Sequence, residues 1–329
     1  MDTPVGHDLN ADQIAYWNGP GGQRWADRQQ SQDILLAPVA DLLIDRARPA
    51  AGERIVDVGC GSGAISIALA QKVGPAGHVL GIDISGPMLA RARQVAPAGL
   101  PVEFVLADAT VYPFVPASLD LLVSRFGVMF FAEPAISFAN LRRGLKPSGR
   151  LAFACWREPR ENPFFMAPLQ AVYKHVPKLP QQGPEDPGPF AFASEARVQR
   201  ILSEAGFTAI AMEPCNLSLD IAIGRGFDTA VKSALDIGPA ARARQLELEG
   251  ERIAKVNEER SRRRGYLVFA TDPSQDVDSA GYQQVYATEA RTPSQAIAKV
   301  RPLAEGRRLR AFLATGKYRD ELVDARWVA

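Results

Sequence analysis

Cysteine and histidine are scarce in this chain, at three each in 329 residues. Cys60, Cys155 and Cys215 lie far apart and form no Cys-x-x-Cys pair. That argues against a disulfide framework and against a zinc site, and it points to a reducing compartment, the cytoplasm. An excess of charge of either sign is also missing: 38 Lys and Arg face 37 Asp and Glu, a formal net charge of +1. No polyanionic partner, and so no nucleic acid, is expected on that balance. No apolar run approaches the roughly 20 residues that span a bilayer, so no integral membrane association is expected. The opening residues, Met1-Asp2-Thr3-Pro4, lack the basic and apolar regions of a secretory signal. What is plentiful is apolar residues, 47% of the chain, enough for a sizeable buried core.

Residues 9–48 read as helical, with Leu35, Leu36, Val39, Leu42, Leu43 and Ile44 at helical spacing. Within them Gly19-Pro20-Gly21-Gly22, flanked by Tyr16, Trp17 and Trp25, reads as a mobile turn. From Arg54 onward short apolar strands alternate with amphipathic helices. Strands are predicted at 54–58, 79–82, 102–106, 119–124 and 151–155, and helices at 63–73, 87–95, 135–145 and 194–205. Near-continuous apolar strands indicate a sheet covered on both faces, and the alternation indicates a Rossmann-like, doubly wound α/β fold, mostly parallel. Two further strands, 208–212 and 217–223, are expected to close it as an antiparallel hairpin. Residues 156–192, rich in proline and aromatics, read as an insertion over the C-terminal edge of the sheet. The domain organisation expected is a first unit over 1–240, a charged helical linker over 241–265, and a small α/β appendage over 266–329, with strands at 266–270, 283–287, 309–314 and 325–328 and a helix at 294–304.

The chemistry concentrates where the first strand meets its helix, in Asp57-Val58-Gly59-Cys60-Gly61-Ser62-Gly63. Glycines there permit a tight turn and the close approach of a ligand to the backbone. A glycine-rich turn alone is weak evidence, and Gly59, Gly61 and Ala64 also fit a dinucleotide fingerprint. The neighbouring acids discriminate. A pyrophosphate favours a helix N-terminus without a nearby carboxylate, whereas Asp57 at the mouth suits a cationic ligand. Asp83, 20 residues after Gly63, is placed to accept from vicinal ribose hydroxyls, of a nicotinamide or a sulfonium cofactor alike. Asp108, ending the third strand, can accept from an adenine amino group while the Ala109 N–H donates to the ring. Any one of these acids alone is equally well a loop cap; three at one sheet edge favour a ligand.

The stretch Arg54–Trp156 resembles the class I S-adenosylmethionine-dependent methyltransferases, in particular their ubiquinone/menaquinone-biosynthesis-like small-molecule branch. Its matching segments are Val56-Asp57-Val58-Gly59-Cys60-Gly61-Ser62-Gly63, Gly81-Ile82-Asp83-Ile84-Ser85, Ala107-Asp108-Ala109, Phe126-Gly127-Val128-Met129-Phe130-Phe131 and Leu145-Lys146-Pro147-Ser148-Gly149-Arg150-Leu151. The resemblance implies S-adenosylmethionine as cofactor. Gly59, Cys60 and Gly61 would contact its methionine part, Asp83 would bind its ribose and Asp108 with Ala109 its adenine, with Asp57, Gly63 and Ile84 also at the cofactor. Met88 would pack on the adenine face, although a plain core methionine fits as well. Tyr16, Trp17 and Trp25 would fold over the cofactor in an N-terminal cover, although anchoring the first helix on the sheet would explain them as well. The last part of the chain, after about residue 240, departs from the family pattern.

Methyl transfer is an in-line displacement at an activated carbon, so the enzyme chiefly aligns the reactants, and a base is needed only if the acceptor must lose a proton. The catalytic candidates are Arg125 and His175. Arg125 ends the fourth strand, where a guanidinium can orient an anionic or enolic acceptor or touch the cofactor; a salt bridge to a nearby acid would explain it equally. His175 is the best placed of the three histidines, in the insertion. The residues after the fourth strand, Ser124-Arg125-Phe126-Gly127, lack the Pro-Pro-aromatic pattern of amino methylation of DNA bases, and no Pro-Cys nucleophile for cytosine is present. The expected acceptor is a small, apolar or aromatic molecule. Two readings compete with methyl transfer: a non-catalytic S-adenosylmethionine-binding or interaction protein, and an NAD-dependent oxidoreductase.

Overall fold

The computed structural model describes residues 10–179, 183, 185–236, 239–243 and four strands nearer the C-terminus. The chain divides into two compact units, Met1–Arg244 and Gln245–Ala329.

The first unit begins with four helices: α1 (Ala11–Asn18), α2 (Pro20–Asp27), α3 (Gln29–Leu35) and α4 (Ala37–Ala47). Then β1 (Arg54–Val58), α5 (Ala64–Val73), β2 (His78–Asp83), α6 (Gly86–Val95), β3 (Val102–Leu106) and β4 (Leu119–Arg125) alternate. A short 3-10 turn over Gly127–Phe130, α7 (Pro134–Gly144) and β5 (Leu145–Ala154) complete the sheet. All five strands are parallel, in the order β3-β2-β1-β4-β5. The chain's progression across the sheet, outward from β1 to β3 and then from β4 to β5 on the other side, reverses between β1 and β4, and this is where open α/β sheets bind ligands, beyond the strands' carboxyl ends.

Residues of β1 and β4 alternate between two cores. Val56, Val58 and Leu122 pack with Phe138 and Leu141 of α7 and with Ile201 and Leu202 of α9 (Glu195–Glu204). Ile55, Leu121 and Val123 pack on the other face with Leu43 and Ile44 of α4 and Leu69 and Val73 of α5. Leu121, Leu122 and Val123 are completely buried, which explains why this strand reads as an unbroken apolar run. Each such side chain contributes about 1.5–3 kcal/mol by leaving water.

The sheet departs from expectation at its end. Residues 208–223 carry no strand, so no hairpin follows β5. The Lys146-Pro147-Ser148-Gly149 segment, just past the helix expected at 135–145, lies within β5 as an irregularity: the register jumps from Leu119↔Leu145 to Leu121↔Arg150. Arg150 then reaches back and donates to Glu53 at 2.8 Å and to the Ala47 carbonyl at 2.8 Å. The insertion contains α8 (Pro163–Val172), and α10 (Phe227–Asp236) follows later. No described helix is long and apolar enough to cross a membrane.

The described part of the second unit is an antiparallel sheet of β6 (Arg264–Thr271), β7 (Gln284–Ala290), β8 (Arg308–Ala314) and β9 (Leu322–Val328), ordered β7-β6-β8-β9. These strands overlap the four predicted there. Most of the charged linker and the helix expected at 294–304 lie outside the described residues.

Candidate functional site

The five residues between β1 and α5 hold three glycines in the left-handed region: Gly59 (φ +67°), Gly61 (φ +57°) and Gly63 (φ +87°). The loop is tied back to β2, since the Gly59 and Cys60 N–H groups both donate to the Ile82 carbonyl, at 2.8 and 3.1 Å. At Gly59 a Cβ would stand 2.6 Å from the Gly127 Cα, so the loop after β1 and the turn after β4 meet backbone to backbone across the switch point. Ser124 secures that meeting: its hydroxyl donates to the Val58 carbonyl at 2.7 Å and accepts from the Val128 N–H at 3.2 Å.

The three acids sit at the C-terminal ends of three neighbouring strands, with different partners. Asp83 accepts from the Gly61 N–H at 2.7 Å and the Ser85 N–H at 2.8 Å, which binds the glycine loop directly to the end of β2. Burial pushes its carboxyl up, against the pull of those N–H groups. Asp108 accepts from the Thr110 N–H at 2.8 Å and from the Asn10 amide at 2.5 Å. Ala109 is buried beside it.

Asp57 corrects the expectation that it stands at the mouth. It points to the face that carries α5, is buried, and accepts from the Ser66 hydroxyl at 2.6 Å. Burial pushes its carboxyl up to about 6, with Asp83 adding to the rise and Ser66 and Arg125 opposing it. The shift has a sign for stability. Between the ordinary 3.8 and about 6 the folded protein binds more protons than the unfolded chain, so ionising Asp57 lowers stability as pH rises through that window. Asp57→Asn keeps an acceptor for Ser66 and removes the ionisation. Its unfolding free energy relative to wild type should therefore be greater at pH 7.5 than at pH 4.5 by about 2 kcal/mol. Denaturant unfolding at the two pH values checks this, and a pH-independent difference contradicts it.

Cys60 turns its thiol away from the loop's open side, into a small core with Leu89, Ala92 and Phe104, and burial raises its pKa well above the usual thiol value. Met88 is buried, and its Cε is the atom a Cβ on Gly61 would meet, at 2.7 Å, so it covers the loop. Two buried polar atoms beside the loop have no hydrogen-bond partner: Ser62 Oγ in the loop and Arg125 Nη1 at the end of β4. A ligand with polar groups fits such a place. Phe126, next in the chain, is held at φ +72°, a conformation that costs a non-glycine residue roughly 1–2 kcal/mol. Its ring stacks on Trp156 at 4.3 Å, and Trp156 meets Phe165 edge-on at 4.8 Å.

Residues 55–149 match the model of a methyltransferase domain. The chain is 33% identical over 159 residues to the aklanonic acid methyltransferase of a Streptomyces species, covering 44% of this chain and 69% of that protein. The chain belongs to the class I S-adenosylmethionine-dependent methyltransferases. It is also 36% identical to a demethylmenaquinone methyltransferase of Thermus thermophilus (42% of this chain, 66% of that one) and 39% identical to a nocamycin O-methyltransferase of Saccharothrix syringae (35% and 41%). The cofactor of this methyltransferase is S-adenosylmethionine.

The N-terminal helices of the methyltransferase lie on the same edge. The Trp17 ring meets Phe130, in the turn after β4, at 5.2 Å, and Trp25 at 6.2 Å. The Trp17 carbonyl accepts from the Ser85 hydroxyl at 2.7 Å. Asn18 grips the loop after β2 from both sides, donating to the Ile84 carbonyl and accepting from the Gly86 N–H. The Gly19-Pro20-Gly21-Gly22 segment is not a mobile turn. Pro20 opens α2, and Gly21 and Gly22 are buried in it. A Cβ on Gly22 would stand 1.8 Å from the Trp17 carbonyl oxygen, so glycine here serves close helix packing. His175 is withdrawn from the site: it is exposed in the turn after α8. Ser62, Ser66, Asn10, Asn18, Ser85 and Gly127 belong to the arrangement, and sequence reasoning did not single them out.

Proposed function

We propose that the chain transfers a methyl group to a small, apolar or aromatic acceptor lying against the Phe126–Trp156–Phe165 wall. The single observation that carries this reading is that aromatic wall, which begins one residue beyond Arg125, past the carboxyl ends of β4 and β5. In this reading Asp83 receives the ribose hydroxyls, and Asp108 with the Ala109 N–H receives the adenine. Gly59, Gly61, Gly63 and the Ser62 hydroxyl border the methionine part, with Met88 on the adenine side. Asp57 acts from beneath, as a buried negative charge, and Trp17 with Trp25 closes the cover. Bound S-adenosylmethionine supplies a methyl already activated by its sulfonium, so the residues' task is to align and to exclude water. Residues 1–240 carry the reaction in this proposal, and 266–329 form a separate element. The relatives support a small-molecule acceptor by their names, an aklanonic acid methyltransferase and a nocamycin O-methyltransferase among them.

Calorimetry with S-adenosylhomocysteine and with NAD, followed by label transfer from methyl-labelled S-adenosylmethionine to a panel of phenols, quinols, amines and carboxylates, tests the reading. Binding of S-adenosylhomocysteine but not NAD, with label on the phenols or quinols, is expected. Label on amines alone, or on nothing, would overturn the acceptor assignment.

A further inference from the structure

We propose that the acceptor reaches the methyl group as an anion, an ionised phenol or enol whose oxygen is received by the Arg125 guanidinium. The inference rests on the methyltransferase reading and adds the acceptor's charge. Three buried side-chain polar atoms among the described residues lack hydrogen bonds: Ser62 Oγ, Arg125 Nη1 and Arg197 Nε. Arg197 Nε lies 3.4 Å from a Glu185 carboxylate oxygen, which leaves Arg125 as the cation of the three whose orphaned nitrogen has no anion against it.

The acids that face Arg125 are committed elsewhere. Asp33, on α3, is hydrogen-bonded by Gln29, and Gln29 in turn by Arg91 of α6. Asp57, on β1, is hydrogen-bonded by Ser66. Both act on Arg125 only through space, where they oppose the effect of its burial, and burial prevails in lowering its pKa. A buried guanidinium nitrogen without an acceptor is costly, and an oxyanion is the partner that best relieves it.

Charge balance points the same way. The site takes a cationic sulfonium, and a bare guanidinium nearby repels it. An anionic acceptor placed between them removes the repulsion, whereas a neutral one leaves it standing. The ring of such an acceptor finds its flat surface in the strained Phe126, held by its stack on Trp156. The step balances without a protein base. The phenol or enol gives up its proton to solvent before methyl transfer, in solution or once bound beside Arg125. An oxygen lone pair then forms the O–C bond as the C–S bond breaks, and the electron pair of the broken C–S bond stays on sulfur, leaving a neutral thioether.

The probe is 4-nitrophenol, whose anion absorbs visible light, titrated from acid to neutral pH against the full chain saturated with S-adenosylhomocysteine. Wild type should ionise the bound phenol about one pH unit lower than in free solution, a roughly tenfold preference for the anion. Arg125→Gln should abolish the shift, and Arg125→Lys should keep part of it, with S-adenosylhomocysteine affinity the same in all three. No shift in wild type, or an equal shift in Arg125→Gln, overturns the proposal. So does a loss of S-adenosylhomocysteine affinity in Arg125→Gln with 5′-methylthioadenosine binding retained, since Arg125 would then serve the cofactor's carboxylate. A wild-type chain that fails to bind S-adenosylhomocysteine would instead refute the methyltransferase reading itself.

Discussion

Gly59→Ala should destabilise the fold by roughly 3 kcal/mol or more and reduce S-adenosylhomocysteine binding at least about 100-fold. Two effects add. The residue sits at φ +67°, which costs an L side chain about 1 kcal/mol relative to glycine. Its Cβ would also stand 2.6 Å from the Gly127 Cα, and backbone on the far side cannot swing away as a flexible side chain could. Relief requires the loop after β1 to separate from the turn after β4, and that meeting is what places the loop at the switch point. Gly52→Ala is the control. Gly52 also has positive φ (+81°), but open space surrounds its Cβ position, so about 1 kcal/mol is expected there and no change in binding. Chemical unfolding and calorimetry on both variants decide the matter. Equal losses would mean that the contact with Gly127 is not what demands glycine at position 59.

Asp83→Asn should leave the fold standing and cost about 2–3 kcal/mol of cofactor affinity, roughly 30- to 200-fold. The carboxylate serves two backbone donors, Gly61 N–H and Ser85 N–H, one on each oxygen. An amide offers only one acceptor oxygen, so its NH2 must face one of those donors. One of these two backbone bonds is lost while the Gly59 and Cys60 bonds to the Ile82 carbonyl remain, and the proposed ribose hydroxyls lose an ionic acceptor. The fold is expected to suffer less than binding, because burial makes the ionised carboxylate costly to keep and the substitution removes that charge. S-adenosylhomocysteine affinity within threefold of wild type would show that Asp83 has no part in the ligand's seat.

The parallel sheet was legible because its pattern is regional. Runs such as Ile55-Val56 and Leu121-Leu122-Val123 are apolar on both faces and so declare their burial. That Asp83 and Asp108 stand at the carboxyl edge of the sheet was legible because the ends of β2 and β3 place them there. What escaped depends on single contacts between distant segments. Asn10 reaches Asp108 across 98 positions and Ser66 reaches Asp57 from the far side of the glycine loop. A polar residue in an amphipathic helix looks the same whether it meets a partner or water. Gly127 belongs to the same class, since only the approach of Gly59 reveals why it has no side chain. The Gly19–Gly22 segment misled for a different reason: proline and glycine mark turns, but proline also suits the first position of a helix. The predicted hairpin at 208–223 rested on short apolar stretches interrupted by Pro214 and Asn216, and no described strand pairs with them.

Ser85 has a single hydroxyl proton and gives it to the Trp17 carbonyl, while its oxygen caps α6 by accepting from Met88 N–H. With the two bonds of Asn18, three hydrogen bonds latch the leading helices to the loop after β2. At about 1 kcal/mol each these bonds contribute about 3 kcal/mol to holding the helices there. Lifting the leading helices would break these bonds and the Trp17–Phe130 contact, none of which joins two strands of the sheet.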